Sequence, residues 1–175
     1  MPLVRVAAFN VIPDLIGAEL ARLIQSNCVH LGLKLYQFGG VARFWATPND
    51  RWSEITPALL VTPEESRPAT LGVNQRLTET DEVLRILYVV PVGDEDPHQA
   101  LASAVRSIVV ALASDTLLSE IANDLYRDQQ ASISGAFIDG VEWNPPENVE
   151  LTSAAQPYMA AAIRWRTRWR SLRAS

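Results

Sequence analysis

The sequence predicts an α+β fold in which helices cover one face of an antiparallel or mixed β-sheet. Segments with strand character form two groups, one before and one after a central helical region, and this order is typical of antiparallel sheets. The strict alternation of strands and helices that doubly wound nucleotide-binding folds require is missing. Because 48% of the 175 residues are hydrophobic, residues 1–175 suffice for a single domain with a buried core.

The N-terminal third contains one predicted helix and one segment whose structure the pattern leaves open. Asp14 is a candidate N-cap after Pro13. Apolar residues follow it at helical spacing, namely Leu15, Ile16, Leu20, Leu23 and Ile24. Residues 26–56 then mix glycine and proline with five aromatic residues. Two short strands and an extended, partly packed arm are both compatible with this composition.

Strand signals follow from residue 58 onward. A short apolar strand at 58–62 ends at Pro63, a polar loop covers 64–68, and a second strand is expected at 71–77. Residues 82–92 (EVLRILYVVPV) form the strongest strand, with Arg85 on one face. Its other face carries Leu84, Ile86, Tyr88, Val90 and Val92. This apolar content predicts a central position in the sheet.

A helix with a clear start signal separates the two groups of strands. Asp96 is the predicted N-cap and Pro97 occupies the first helical position. The buried stripe is Leu101, Ala104, Val105, Ile108 and Leu112. A second helical piece is expected at 116–127. Residues 131–143 and 158–170 then read as two antiparallel strands, joined by a connection with a turn-rich segment at 144–148.

Basic residues are concentrated at the C-terminal end of the chain. From Tyr158 onward there are five arginines and no acid, which leaves 10 basic and 20 acidic residues before it. The body therefore carries −10 and the tail +5, a polarity that favours head-to-tail attraction between copies. The overall charge of −5 argues against a general nucleic-acid binder, since phosphate contacts need a surplus of Lys and Arg. Lys34 is the only lysine, and arginine is the residue better suited to protein interfaces.

Cysteine, histidine and glycine usage argues against catalytic and cofactor sites. The single cysteine, Cys28, excludes an internal disulfide, and two histidines make a Cys/His zinc site improbable. Cys28 and His30 would share a strand face at a spacing of about 6–7 Å, which is too wide for a tight dyad. The eight glycines form no phosphate-binding loop. We therefore expect no catalytic, cofactor-binding or metal-binding residues, and no enzyme.

Targeting signals are also missing from the pattern. No stretch reaches the roughly 18 apolar residues of a membrane span. Residues 1–11 make a poor signal peptide because Arg5 and Asn10 interrupt them. We expect a soluble protein that is made in the cytoplasm.

The last predicted strand carries a stripe of arginines. With a period of two, its apolar face holds Met159, Ala161, Ile163, Trp165 and Trp169, and its other face holds Arg164, Arg166, Arg168 and Arg170. Neighbouring guanidinium groups about 7 Å apart repel each other and need acids or solvent nearby. Three interpretations stay open: a solvated face partly matched by acids such as Glu142 or Glu82, a docking stripe for another subunit, or a surface facing nucleic acid.

Four segments carry a family resemblance: PALLVTPEE, EVLRILYVVPV, DPHQALASAVRSIVVAL and YMAAAIRWRTRW. Together they resemble the tail terminator, or tail-completion, proteins of long-tailed bacteriophages. The resemblance covers about two-thirds of the chain, from Pro57 to about Arg170, and leaves residues 26–56 unaligned.

The resemblance implies a structural virion protein without catalytic residues. Members of this family form a hexameric ring at the head-proximal end of the tail tube, stop its polymerisation and present a joining surface to the head-side connector. It implies as partners further copies of the chain, the tail tube protein and a connector or neck protein. A tail sheath contact through residues 26–56 and a transient passage of DNA through the lumen are further expectations. The location would be the tail or neck of the virion, after assembly in the host cytoplasm, without a membrane.

The resemblance also suggests which residues would form the subunit interface. The arginine stripe would meet an acidic patch of the next subunit or of the tube. Counter-charge would come from a loop and a turn, whose charged residues are Glu64, Glu65, Arg67, Glu79, Asp81 and Glu82. Alternatives are another neck component, such as a connector or stopper, or a small-molecule-binding domain or enzyme that uses the aromatic-rich residues 36–52 as a pocket wall.

Overall fold

The computed structural model describes residues 2–33, 35–38, 56–71, 77–93, 96–113, 131–145 and 157–172. In chain order, the elements are helix α1 (Pro2–Asn27), strands β1 (Leu35–Phe38), β2 (Ala58–Leu71) and β3 (Leu77–Pro91), helix α2 (Pro97–Leu112), and strands β4 (Ala131–Glu142) and β5 (Tyr158–Leu172). A single 3₁₀ turn, Val29–Leu31, follows α1.

The five strands form one mixed sheet in the order β1-β2-β3-β5-β4. Strand β1 runs parallel to β2, and the other three neighbouring pairs are antiparallel. The expected α+β class is therefore confirmed, and β3 has the central position that its apolar content predicted. The expected antiparallel pairing of the last two strands is also confirmed, since β4 and β5 lie side by side.

Both helices pack on one face of this sheet. Their buried side chains share a single cluster with residues of β2, β3 and β5. The two largest members, Trp165 and Trp169, are each only 1% exposed and occupy the alternate positions of β5 that its period of two predicted. The predicted stripe of α2 is buried in the same cluster, as Leu101, Ala104, Val105, Ile108 and Leu112.

A smaller buried cluster lies on the opposite face of the sheet. Its members are Ala58, Leu60, Leu87, Val89, Tyr158, Ala160 and Ala162. They come from the first half of β2 and β5 and the second half of β3, which are paired in register. In β2, β3 and β5 this face is therefore apolar at one end of the strands and carries charged side chains toward the other end, while Glu142 of the edge strand β4 lies beside the apolar part.

Strands β2 and β3 are longer than the sequence pattern predicted. Strand β2 continues through the expected loop at 64–68 and pairs with β3 as far as Leu71↔Leu77. The register shifts between Pro63 and Glu65, which makes Glu64 the extra residue of a β-bulge. The three acids expected at a hairpin turn lie within β3 instead. Long cross-strand pairing thus overrides the turn-like composition PEESRP.

The predicted start of α2 is confirmed, and the predicted start of α1 is wrong. The Asp96 carboxylate accepts a hydrogen bond from the backbone N–H of His98 at 3.0 Å, as an N-cap does. Helix α1 begins at Pro2 and not at Asp14. Cys28 and His30 lie at the end of α1 and in the 3₁₀ turn, not on a strand. The helix expected at 116–127 and most of the arm at 26–56 lie outside the described residues.

Candidate functional site

The polar end of the sheet face opposite the helices carries the candidate site. The register places Arg164, Arg166, Arg168 and Arg170 of β5 on this face, opposite Arg85, Val83, Asp81 and Glu79 of β3. Trp165 and Trp169 alternate with these arginines along β5 and are buried in the core on the helix side. Because successive side chains of a strand point to opposite faces, the guanidinium groups project from the other face. The four arginines that the sequence predicted on one face of the strand therefore share that face in the structure.

Near the C-terminal end of β5, Arg168 and Arg170 pair with acids of β3. Arg168 contacts Asp81 through two bonds, from Nε to Oδ1 at 2.7 Å and from Nη2 to Oδ2 at 3.1 Å. Its Nε also lies 3.2 Å from Glu79 Oε1, and Arg170 Nε lies 3.4 Å from Glu79 Oε2. Asp81 is thus held in a bidentate fork, the stronger geometry for an arginine–carboxylate pair.

Two β-bulges bring acids to the other two arginines. Asp139 is the extra residue between Ile138 and Gly140 of β4, as Glu64 is in β2. Asp139 Oδ2 lies 3.1 Å from Arg166 Nη2 and 3.5 Å from Arg164 Nη1. Glu64 Oε2 accepts a hydrogen bond from Arg164 Nε at 2.9 Å, across the intervening strand β3. The bulges re-aim both carboxylates toward the arginine stripe.

Two further pairs extend the network at its margins. Arg67 pairs with Glu65 within β2, and Arg85 Nη2 lies 3.8 Å from Glu142 Oε2. The charged face, as we name it, thus consists of six arginines and six acids: Arg67, Arg85, Arg164, Arg166, Arg168, Arg170, Glu64, Glu65, Glu79, Asp81, Asp139 and Glu142. Its formal charge is zero.

This balance changes the interpretation of the charge pattern along the chain. The chain has 20 acidic and 15 basic side chains, so the residues outside the charged face hold 14 acids and 9 bases and account for the whole net charge of −5. The acidic body and the basic tail are separate in sequence but interleaved in space on this face. The four stripe arginines therefore have counter-charges in their own chain, as the first of the three open interpretations proposed, but the acids that pair with them are not the Glu142 and Glu82 named there. They are Glu64, Glu79, Asp81 and Asp139.

The ion pairs shift the ionisation of their members in the expected directions. The hydrogen bond from Arg168, with the charges of nearby arginines, lowers the pKa of Asp81. The hydrogen bonds to Glu64 and to Asp81 raise the pKa values of Arg164 and Arg168, respectively. These shifts favour the charged forms of Asp81, Arg164 and Arg168.

Glu82 does not join the charged face. It lies on the helix side of β3 and is 0% exposed, although we expected it among the counter-charges. Its Oε1 accepts a hydrogen bond from Ser66, and its Oε2 lies 3.5 Å from Trp169 Nε1. Burial raises the pKa of this carboxyl group, opposed by the two hydrogen bonds. The neighbouring buried hydroxyl, Thr80 Oγ1, has no hydrogen-bond partner in the described part of the chain.

The charged face also contains an aromatic residue that sequence reasoning missed. Phe137 is 56% exposed and lies directly opposite Arg166. The bulges of β4 leave Ile133, Ala136, Ile138 and Val141 against the core, so that Phe137 projects from the other face. Simple alternation along β4 does not show this, because each bulge reverses the phase of the strand.

The Cys28 and His30 pair contains no activated thiol. Cys28 is 1% exposed, and burial raises the pKa of its thiol, so the protonated and less nucleophilic form is favoured. His30 is exposed, and its Nε2 lies 3.2 Å from the hydroxyl of Ser107 on α2. These residues line a groove beside α2.

No protein-family model matches the chain, and no curated protein matches it. Within the described residues, no group of three or more His, Cys, Asp or Glu side chains could hold a metal ion. None of the helices described here is long and apolar enough to cross a membrane.

Proposed function

We propose that this chain is a structural protein of a long-tailed bacteriophage. It forms a ring, expected to be hexameric, at the head-proximal end of the tail. There it ends polymerisation of the tail tube and provides the surface that joins the head or neck. The proposal joins the family resemblance of residues 57–170 to one structural observation, the charged face with its exposed Phe137.

The composition of the charged face supports a protein contact. Arginine and aromatic residues are enriched at protein interfaces and lysine is depleted. The described residues of this face include six arginines, no lysine and, beside them, the exposed Phe137. Because its charges cancel, identical subunits that approach through it meet no net repulsion. The face is therefore suited to contact with a copy of the chain or with another tail protein.

The ion pairs within the face also lower the entropic cost of binding. Each guanidinium group is held by strand pairing and by at least one carboxylate, so less side-chain entropy is lost on contact. An arginine has five N–H donors, and the side chains of Arg168 and Arg170 are still 55% and 44% exposed. Polar groups of a partner can therefore contact these exposed side chains on the same face as the apolar ring of Phe137.

Electron microscopy of phage tails tests the proposal. Tails assembled without the chain should have unregulated lengths, and addition of the wild-type chain should restore one length. Phe137→Ser should fail to restore it, because it removes the apolar anchor from an exposed position with little effect on folding. The matched control is Leu15→Ser, since Leu15 is also an exposed apolar residue, at 38%, but lies on α1. Tails of normal length that lack heads would instead indicate a connector or stopper.

A charge exchange tests the arrangement of the charged face separately. Arg168→Asp combined with Asp81→Arg keeps an ion pair at the same place but reverses its direction across β3 and β5. The purified double variant should fold, as circular dichroism would show, but should not restore tail length. Particles with normal tails from both Phe137→Ser and the exchange variant would refute a role for this face in assembly.

A further inference from the structure

A groove lies on the helical side of the molecule, away from the charged face. It is an open groove of about 600 Å³ between the C-terminal end of α1 and the outer side of α2. The lining residues are Asn27, Cys28, His30, Ser103, Arg106, Ser107, Val110 and Ala111. Its position on the layer opposite the charged face makes it a second, different surface of the same chain.

The polar lining of this groove includes a hydrogen-bonded serine and histidine next to an arginine. Ser107 donates its hydroxyl hydrogen to the carbonyl of Ser103 at 3.2 Å, so its oxygen accepts from Nε2 of His30. This contact fixes the imidazole at one side of the groove. Ser103 and Arg106 are three residues apart on α2 and therefore lie on the same helix face. A hydroxyl, an imidazole and a guanidinium group thus line a common space.

Arg106 has a distinctive electrostatic setting. It is exposed, helix α2 contains no acidic residue, and no acid is among the groove residues. Within the described part of the chain Arg106 forms no ion pair, whereas each stripe arginine of β5 has at least one. Within the described ranges the positive charge of Arg106 thus has no acidic partner, and the residues outside the charged face carry a net negative charge.

An apolar side chain also lines this groove. Val110 is 72% exposed there and lies four residues after Arg106 on α2. A ligand that fits this surface has a carboxylate for Arg106 and an apolar group for Val110. A protein segment with an acidic and an apolar side chain meets both requirements.

We propose that this groove binds a carboxylate-bearing segment of a second copy of the chain. The inference rests on the proposed function, in which identical subunits form a ring. Charge complementarity favours a second copy, because the residues outside the charged face include 14 acids and only 9 bases. A groove on one subunit that binds a different region of the next is a heterologous contact, and such contacts close into rings when the rotation permits.

A zero-length cross-link can identify the contact. Arg106→Lys keeps the positive charge and adds an amine to a chain whose only lysine is Lys34. A water-soluble carbodiimide activates a nearby carboxylate, and the amine then forms an amide as the reagent leaves as its urea. Arg22→Lys is the matched control, since Arg22 is also an exposed arginine on a helix but lies outside the groove.

The expected result is a ladder of covalent dimers and larger oligomers with Arg106→Lys, at least five-fold above the Arg22→Lys control. Mass spectrometry should locate the amide between position 106 and an Asp or Glu of another subunit. Dimer yields equal to the control, or amides formed only within one subunit, would overturn the inference.

A second measurement separates this inference from the proposed function. In sedimentation velocity, Arg106→Glu should reduce self-association of the purified chain at least ten-fold relative to Arg22→Glu. If the wild-type chain stays monomeric, or if Arg106→Glu associates like the control, the groove is not a subunit contact. The proposed function would still stand in either case if tails lacking the chain lose length control and Arg106→Glu restores it.

Discussion

The buried carboxyl group of Glu82 provides the sharpest test of the energetics of this fold. It is fully buried between β2 and β5, where burial raises its pKa. Below the ordinary glutamate pKa of about 4.3, both the folded and the unfolded chain hold the proton. As the pH rises, the unfolded chain loses it first, so the free energy of unfolding falls until the pH exceeds the raised pKa. Above the raised pKa the folded protein carries the full free-energy cost of the buried carboxylate.

Replacement of Glu82 by Gln removes that cost and keeps hydrogen-bonding capacity. The amide oxygen can accept from Trp169 Nε1, and the amide nitrogen can donate to the hydroxyl of Ser66. Glu82→Gln should therefore raise the free energy of unfolding more at pH 7 than at pH 4. The difference should be about 1.4 kcal/mol for each unit by which the pKa of Glu82 is raised in the folded protein. For a chain of this size, each such unit corresponds to about 3–6 °C in Tm.

Thermal and urea unfolding at pH 4, 5.5 and 7, followed by circular dichroism, would measure the difference. Glu142→Gln is the matched control, because the Glu142 side chain is 46% exposed and its pair with Arg85 spans 3.8 Å. The control should change the free energy of unfolding by no more than about 0.5 kcal/mol at any of these pH values. A stabilisation by Glu82→Gln that is the same at pH 4 and pH 7 would refute the reasoning.

Four further predictions concern stability and reactivity. Asp96→Ala should cost about 0.5–2 kcal/mol in urea unfolding through loss of the N-cap of α2. Trp165→Ala should cost about 3–5 kcal/mol in the same assay, since its side chain is fully buried in the core. Asp139→Asn should cost about 0.5–1 kcal/mol, less in 1 M salt, because Arg164 and Arg166 lose their shared acid. Cys28 should react with a thiol reagent at pH 8 at least ten-fold more slowly in the folded chain than in urea, owing to its burial and raised pKa.

The elements with an unbroken period were predicted well from the sequence. Strand β5 alternates without a bulge over its whole length, so its two faces and its start at Tyr158 follow from the residues alone. Helix α2 has a Pro at its start, an Asp cap and a regular apolar stripe, and its bounds follow in the same way. In both elements, local signals and tertiary packing agree.

The parts that the sequence did not predict depend on pairing between distant segments. The partners of the four stripe arginines are set by cross-strand register, which a single strand does not reveal. Glu64 reaches Arg164 only because β2 continues past Pro63 with a bulge. Glu82 is separated from Asp81 by one peptide bond, yet the two carboxylates lie on opposite faces, one buried and one ion-paired. Register, and not composition, decides these environments.

The two bulges of β4 also determine how this strand tolerates insertions and deletions. The first, between Ile133 and Gly135, reverses the phase of alternation, and the second, between Ile138 and Gly140, restores it. Deletion of the extra residue, Ser134 in the first bulge, would remove that bulge and leave the flanking residues on their present faces, because Ile133 and Gly135 already pair with consecutive residues of β5. Deletion of a paired residue such as Phe137 would instead change the phase of alternation and turn core residues of β4 toward the opposite face. Single-residue deletions should therefore be tolerated at position 134 and not at the paired positions of β4.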